Sequence, residues 1–200
     1  IILAGYYSFF IYYDRVIFSD WNFFNSFSHL LQSIILEYNR FPVHDPWVCG
    51  GVDLLSKPQN WVFSPFIIST ILLPPNIANL FSLILMSFIG AWGMYRLLKF
   101  YNVSDIVSIY CSLLFINSSW FGLHIAEGHI AFRTMFLLPL VVYLALTLTN
   151  VKRFVVLSLI MCFFIIDGGI YSFIYSVVIV FILIILNMVP IRLFIEDITK

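Results

Sequence analysis

The chain has 200 residues, of which 62% are hydrophobic and only 10% charged, with ten Lys and Arg against ten Asp and Glu. A soluble domain averages about 45–50% apolar and about 25% charged residues. The mean hydropathy of +1.02, with 22 Phe and 11 Tyr, therefore points to a polytopic membrane protein, and the zero net charge excludes the basic footprint of a nucleic-acid binder.

The chain begins at Ile1, inside an apolar run read as a first span at roughly 1–13. It lacks the basic flank and small-residue cleavage site of a signal peptide. The expectation is one transmembrane domain over 1–200, an N-terminal fragment of a longer protein. Residues 14–60 are the longest polar stretch, and with the apolar run 61–73 and Pro74-Pro75 they form a first extracytoplasmic loop region, 14–75. Within it, Trp21, Phe24, Phe27, Leu31, Ile34, Ile35 and Tyr38 recur at helical spacing, with Asn25, Ser28, His29, Gln32 and Ser33 around the rest of the circumference. That pattern predicts an amphipathic helix lying along the membrane surface. Asp20, just before it, either caps the helix or faces a site.

The stretch RFPVHDPWVCGG, 40–51, crowds Arg40, His44 and Asp45 between Pro42, Pro46 and a Gly-Gly pair. These prolines and glycines set a non-helical path and allow close backbone approach. His44 and Asp45 either bind something or hydrogen-bond the loop to itself. Lys57-Pro58-Gln59-Asn60 then leads into the run 61–73. That run is short for a crossing and reads as a re-entrant or interfacial helix on the outer side.

Further spans are predicted at about 77–98, 105–123, 130–149, 153–166 and 169–190, the fifth short because Asp167-Gly168-Gly169 interrupts it. The fold class is thus an all-α membrane bundle of about six spans. With 14–60 outside, the inner ends carry Arg96, Lys99, Lys152, Arg153, Arg192 and Lys200, and the outer side Arg15, Arg40, Lys57 and Arg133. All four histidines and seven of the ten carboxylates (Asp14, Asp20, Glu37, Asp45, Asp53, Glu127, Asp167) then fall outside. Asp105 reads as part of a helix N-cap region. Cys49, Cys111 and Cys162 show no metal-like spacing.

Two outer clusters stand out. LHIAEGHIAFR gathers His124, Glu127, His129 and Arg133. It reads as a divalent-metal site through His124, Glu127 and His129, as a substrate or phosphate contact, or as a plain polar helix end. Asp167 follows 13 apolar residues after Arg153. It either lies below the membrane surface facing a cavity or partner, or is wet in an outer turn.

Asp20 before an amphipathic helix, then RFPVHDPWVCGG, KPQN and Ser64-Pro65, resembles the first outer loop of GT-C type membrane glycosyltransferases, most of all the bacterial YfhO-type membrane protein family. INSSWFGLHIAEGHIAFRTMFLLPL (116–140) resembles that family's Ser, Gly-His and Pro-Leu pattern, and DGGIYSF (167–173) a further Gly-containing step. His44-Asp45 stands where Trp-Asn is more usual before Pro46. The resemblance implies a GT-C-like fold in a bacterial or archaeal plasma membrane. It implies sugar transfer from a polyprenyl-phosphate donor to an envelope glycan, lipid or protein on the extracytoplasmic face. Asp20 would then be the catalytic carboxylate. Arg40, His44, Asp45, Lys57, Gln59, His129 and Arg133 would contact substrate, with a divalent metal as the one cofactor considered and membrane lipid as a partner. The alternative is a non-catalytic lipid-linked sugar binder, transporter or flippase. Charges clustered at one face disfavour transport, which wants ionisable groups near mid-membrane.

Overall fold

Long apolar runs with few interior breakers favour helix, and the computed structural model is all-helical apart from one short β pairing among the described residues. Residues 20–48, 50–57, 59–190 and 197 are described. The predicted span at 1–13, together with Asp14, Arg15, Cys49, Arg192, Glu196 and Lys200, lies outside them.

Helix α1, Asp20–Gln32, buries Trp21, Phe24, Phe27, Ser28 and Leu31, the spacing of three and four that makes one face. The predicted stripe is present, but it packs on protein instead of lying against headgroups. Phe24 stacks on Trp61 at 5.4 Å and Phe27 meets the same ring edge-on at 4.7 Å. Trp21 Nε1 donates to the Ile125 carbonyl at 2.8 Å. A π-helical turn, Ser33–Glu37, follows.

The run 61–73 forms a helix only in its second half, α2, Ile67–Leu72. Before it, Trp61, Val62, Ser64 and Phe66 turn inward. Asn60 accepts the Val62 N–H at 2.6 Å and donates to the Leu54 carbonyl at 2.5 Å, so a turn replaces the first helical half. Gln32 Nε2 donates to the carbonyls of Thr70 and Leu73 at 2.6 and 2.8 Å, satisfying the C-terminal end of α2.

Helix α3, Pro75–Phe100, starts with proline in its first turn, where the missing N–H has no helical partner to lose. Its buried seam is largely small: Ala78, Ser82, Ser87, Gly90 and Gly93. A Cβ at Gly90 would stand 2.6 Å from the Phe136 carbonyl oxygen, and one at Gly93 2.8 Å from Leu140 Cβ. Small residues let two backbones meet this closely. Helices α4, Asp105–Ile116, and α5, Ser119–Ala126, follow with a break at Asn117-Ser118. A 3₁₀ segment, Ile130–Leu137, leads into α6, Leu138–Leu146; α7 is Val151–Ile166 and α8 Ile170–Ile185.

Two lengths, Pro75–Phe100 and Asp105–Ala126, are long and apolar enough to cross a membrane. α7 and α8 have 16 residues each, roughly 24 Å against a hydrocarbon core of about 30 Å. The span predicted at 130–149 is not one α-helix. Its 3₁₀ half buries every residue except the partly exposed Phe132. Contacts along the bundle alternate by end. Asn25 with Asn79 at 3.0 Å and Trp21 with Ile125 join one end; Arg96 with Tyr143 at 2.7 Å and Lys99 with Asp105 at 3.1 Å join the other.

Candidate functional site

The turn after α5 sets the site. Gly128 has φ +82°, and a Cβ there would collide with the Trp21 backbone nitrogen. Only glycine therefore lets the start of α1 lie on this turn. The Asp20 N–H donates to the Glu127 carbonyl at 3.1 Å, and the His129 N–H to the His124 carbonyl at 2.8 Å. Asp20 Oδ2 is thereby brought 3.3 Å from His129 Nε2. His129 Nδ1 in turn lies 2.9 Å from His124 Nδ1. The Asp20 side chain is 51% exposed and that of His129 33%.

These three side chains form a line with His129 in the middle; they do not surround a point. Of the residues expected to hold a metal, His124 and His129 meet, but Glu127 contributes its backbone carbonyl and Asp20 supplies the carboxylate. Among the described residues no group of three His, Cys, Asp or Glu side chains is arranged to hold a metal ion. Aromatic rings flank the line. His124 stacks on Phe132 at 4.3 Å and meets Trp120 edge-on at 4.3 Å, and Phe132 stacks on Tyr171 at 5.2 Å with its plane tilted by 10°.

Arg133, expected at a substrate phosphate, is 2% exposed and already holds an anion. Its Nε and Nη2 donate to Asp167 Oδ2 and Oδ1 at 2.9 and 2.7 Å, and Nη1 donates to Ser82 Oγ at 3.2 Å. Ser64 Oγ donates to the same carboxylate at 2.5 Å. The guanidinium lies 5.1 Å from the Phe66 ring centre and 5.5 Å from that of Trp61. Asp167 is fully buried, so of its two sequence readings the partnered one holds. The pair ties the 3₁₀ segment, the α7–α8 turn, α3 and the entry to α2 together. All three guanidinium nitrogens and both carboxylate oxygens have a protein partner, so the buried pair acts as a tie between elements.

The loop 40–57 folds on itself. His44 pairs with Asp53 and Asp45 with Val52 in a two-residue antiparallel ladder. Asp45 is buried, and its Oδ1 accepts the Trp47 N–H at 3.0 Å. A Cβ at Gly51, φ +116°, would collide with the His44 imidazole. Arg40 and His44 are exposed. Among the described residues, no hydrogen bond or ion pair joins Arg40, His44 or Asp45 to the Asp20–His129–His124 line. Asp45 is thus a turn residue of its own loop.

Lys57 and Gln59 do line a cleft of about 260 Å³, with Phe23, Phe27, Asn60, Ile170 and Tyr171. Gly168, φ +71°, lies against the backbone of Gln59: a Cβ there would stand 2.7 Å from the Gln59 carbonyl carbon. Tyr171 joins this cleft to the ring stack beside His124. Trp120, Phe132, Tyr171 and Phe23 were not singled out from the sequence as site residues. Trp120 and His124 share a helix face at i, i+4, a signal that was there to be used; Tyr171 had none.

No protein-family model, curated protein or solved structure matches the chain. The likeness to GT-C proteins stands on the quoted motifs alone.

Proposed function

We propose that the chain is a multi-pass membrane glycosyltransferase of GT-C type, with residues 14–75 on the extracytoplasmic side. It would move a sugar from a polyprenyl phosphate to an envelope acceptor. Helix faces turned inside out support the multi-pass part. α4 and α8 bury Ser108, Ser112, Ser172 and Ser176 while exposing Ile106, Tyr110, Ile174, Val178 and Phe181. Water would invert that choice; lipid favours it. The cations Arg96 and Lys99 stand at the bundle end opposite Asp20, as positive-inside orientation requires.

One observation carries the enzymatic reading: a half-exposed carboxylate, Asp20, is paired with His129, and the Phe132 ring links that pair to Tyr171 of a cleft that also holds Lys57 and Gln59. The carboxylate supplies the negative charge that draws a proton off an acceptor hydroxyl. Help of this kind is worth about 10²–10⁴-fold. Lys57 offers a positive partner to the leaving phosphate, and rings such as Phe23 and Tyr171 suit the apolar face of a sugar. The test is transfer from a panel of polyprenyl-phosphate sugars by the purified protein, wild type beside Asp20→Asn. Transfer by wild type and its loss in the variant are expected. Lipid-phosphate binding without transfer would replace this reading by a non-catalytic binder or flippase.

A further inference from the structure

We infer that the bundle end opposite Asp20 binds an anionic phospholipid of the inner leaflet. Arg96, Lys152 and Arg153 meet its phosphate, and its chains lie on the exposed faces of α3 and α7. The inference rests on the multi-pass reading and its orientation, and does not depend on sugar transfer.

Three helices bring the cations to one end. Arg96 Nη2, on α3, donates to Tyr143 Oη, on α6, at 2.7 Å. One turn further, Thr147 Oγ1 donates to the Tyr143 carbonyl at 2.7 Å, and the Thr147 carbonyl accepts from Arg153 Nη1 at the start of α7. Lys152 is next to it and exposed. Among the described residues, no carboxylate lies within ion-pair distance of Arg96, Lys152 or Arg153. The carboxylates of this end are engaged elsewhere. Asp105 meets Lys99 at 3.1 Å and Tyr95 at 2.9 Å, and Asp197 accepts the Val151 N–H at 3.2 Å.

Arg96 is held in place without a counter-charge. Its guanidinium carbon lies 5.2 Å from the Tyr143 ring centre and 5.7 Å from that of Trp92. Nε and Nη1 have no hydrogen-bond partner among the described residues. A guanidinium fixed in this way, with N–H groups left over, suits a phosphate, whose oxygens it can meet two at a time.

The surface beside the cations selects a lipid over a soluble anion. Leu85, Phe88 and Trp92 are exposed on α3 at the spacing of three and four that leads to Arg96. That stripe is roughly 16–17 Å long, about one leaflet's share of a hydrocarbon core of about 30 Å. On α7, Val155, Val156 and Leu159 are exposed three, four and seven residues on from Lys152. A soluble anion would use the cations and leave both stripes idle. Basic pockets between spanning helices on the inner side take anionic headgroups.

The test is lipid retention by the purified protein, read by native mass spectrometry from micelles containing phosphatidylglycerol and phosphatidylcholine. Wild type should retain phosphatidylglycerol preferentially. Arg96→Gln and Lys152→Gln should each lower that preference about fivefold, with little change of thermal midpoint in phosphatidylcholine nanodiscs. Equal retention of the two lipids by wild type would overturn the inference, as would an undiminished preference in the double variant. Glycerol 3-phosphate bound as tightly as the whole lipid would also overturn it, because the stripes would then contribute nothing. A protein that stays dispersed in buffer without detergent would remove the multi-pass reading and this inference together. Absent selectivity in a protein that needs detergent would remove this inference alone.

Discussion

Two acid–base pairs at one end of this bundle use similar ingredients to opposite ends. Asp167 and Arg133 are 0% and 2% exposed, joined by two hydrogen bonds and completed by Ser64 and Ser82. Asp20 and His129 are 51% and 33% exposed, joined by one contact at 3.3 Å. Burial makes the first pair a clasp, because every polar atom must be satisfied where water cannot reach. Exposure leaves the second with carboxylate lone pairs to spare. Charge and residue type alone do not separate them; accessibility and unfilled valence do.

Breaking the clasp should have the largest effect on folding. Arg133→Ala strands a buried carboxylate, and loss of about 3–5 kcal/mol is expected, read as a fall in the thermal midpoint in detergent. Removing both charges sharpens the point. Arg133→Met with Asp167→Leu replaces the pair by packing groups and should recover most of that loss. Gly168→Ala comes next. It puts a Cβ against Gln59 from a backbone at φ +71°, for an expected cost of about 1–3 kcal/mol and a distorted cleft. Asp20→Asn should have the smallest effect on stability, no more than about 1 kcal/mol for an exposed pair, while transfer falls by the fold-change given above.

The all-helical class was legible in the apolar runs, and the stripe of α1 in its spacing. What the stripe faces was not legible, because Trp61 and a lipid headgroup layer select the same residues. Asp167 could be marked as costly from its depth, but Arg133 is 34 residues away and nothing local joins them. The His124–His129 cluster was visible as composition. Its third member proved to be Asp20, 104 residues before His124, brought there by Gly128 and the α1 contact, and Glu127 turned out to offer only its carbonyl. The 130–149 run breaks into 3₁₀ and α pieces next to Pro139, which stands in the first turn of α6; that signal was in the sequence, and hydropathy alone passes over it.

The most direct test of the division between clasp and working pair is sugar transfer by two folded variants side by side: Asp20→Asn, and the double variant Arg133→Met with Asp167→Leu. The account predicts no transfer from the first and near wild-type transfer from the second. A folded double variant that cannot transfer, beside an active Asp20→Asn, would place the chemistry at the buried pair and contradict it.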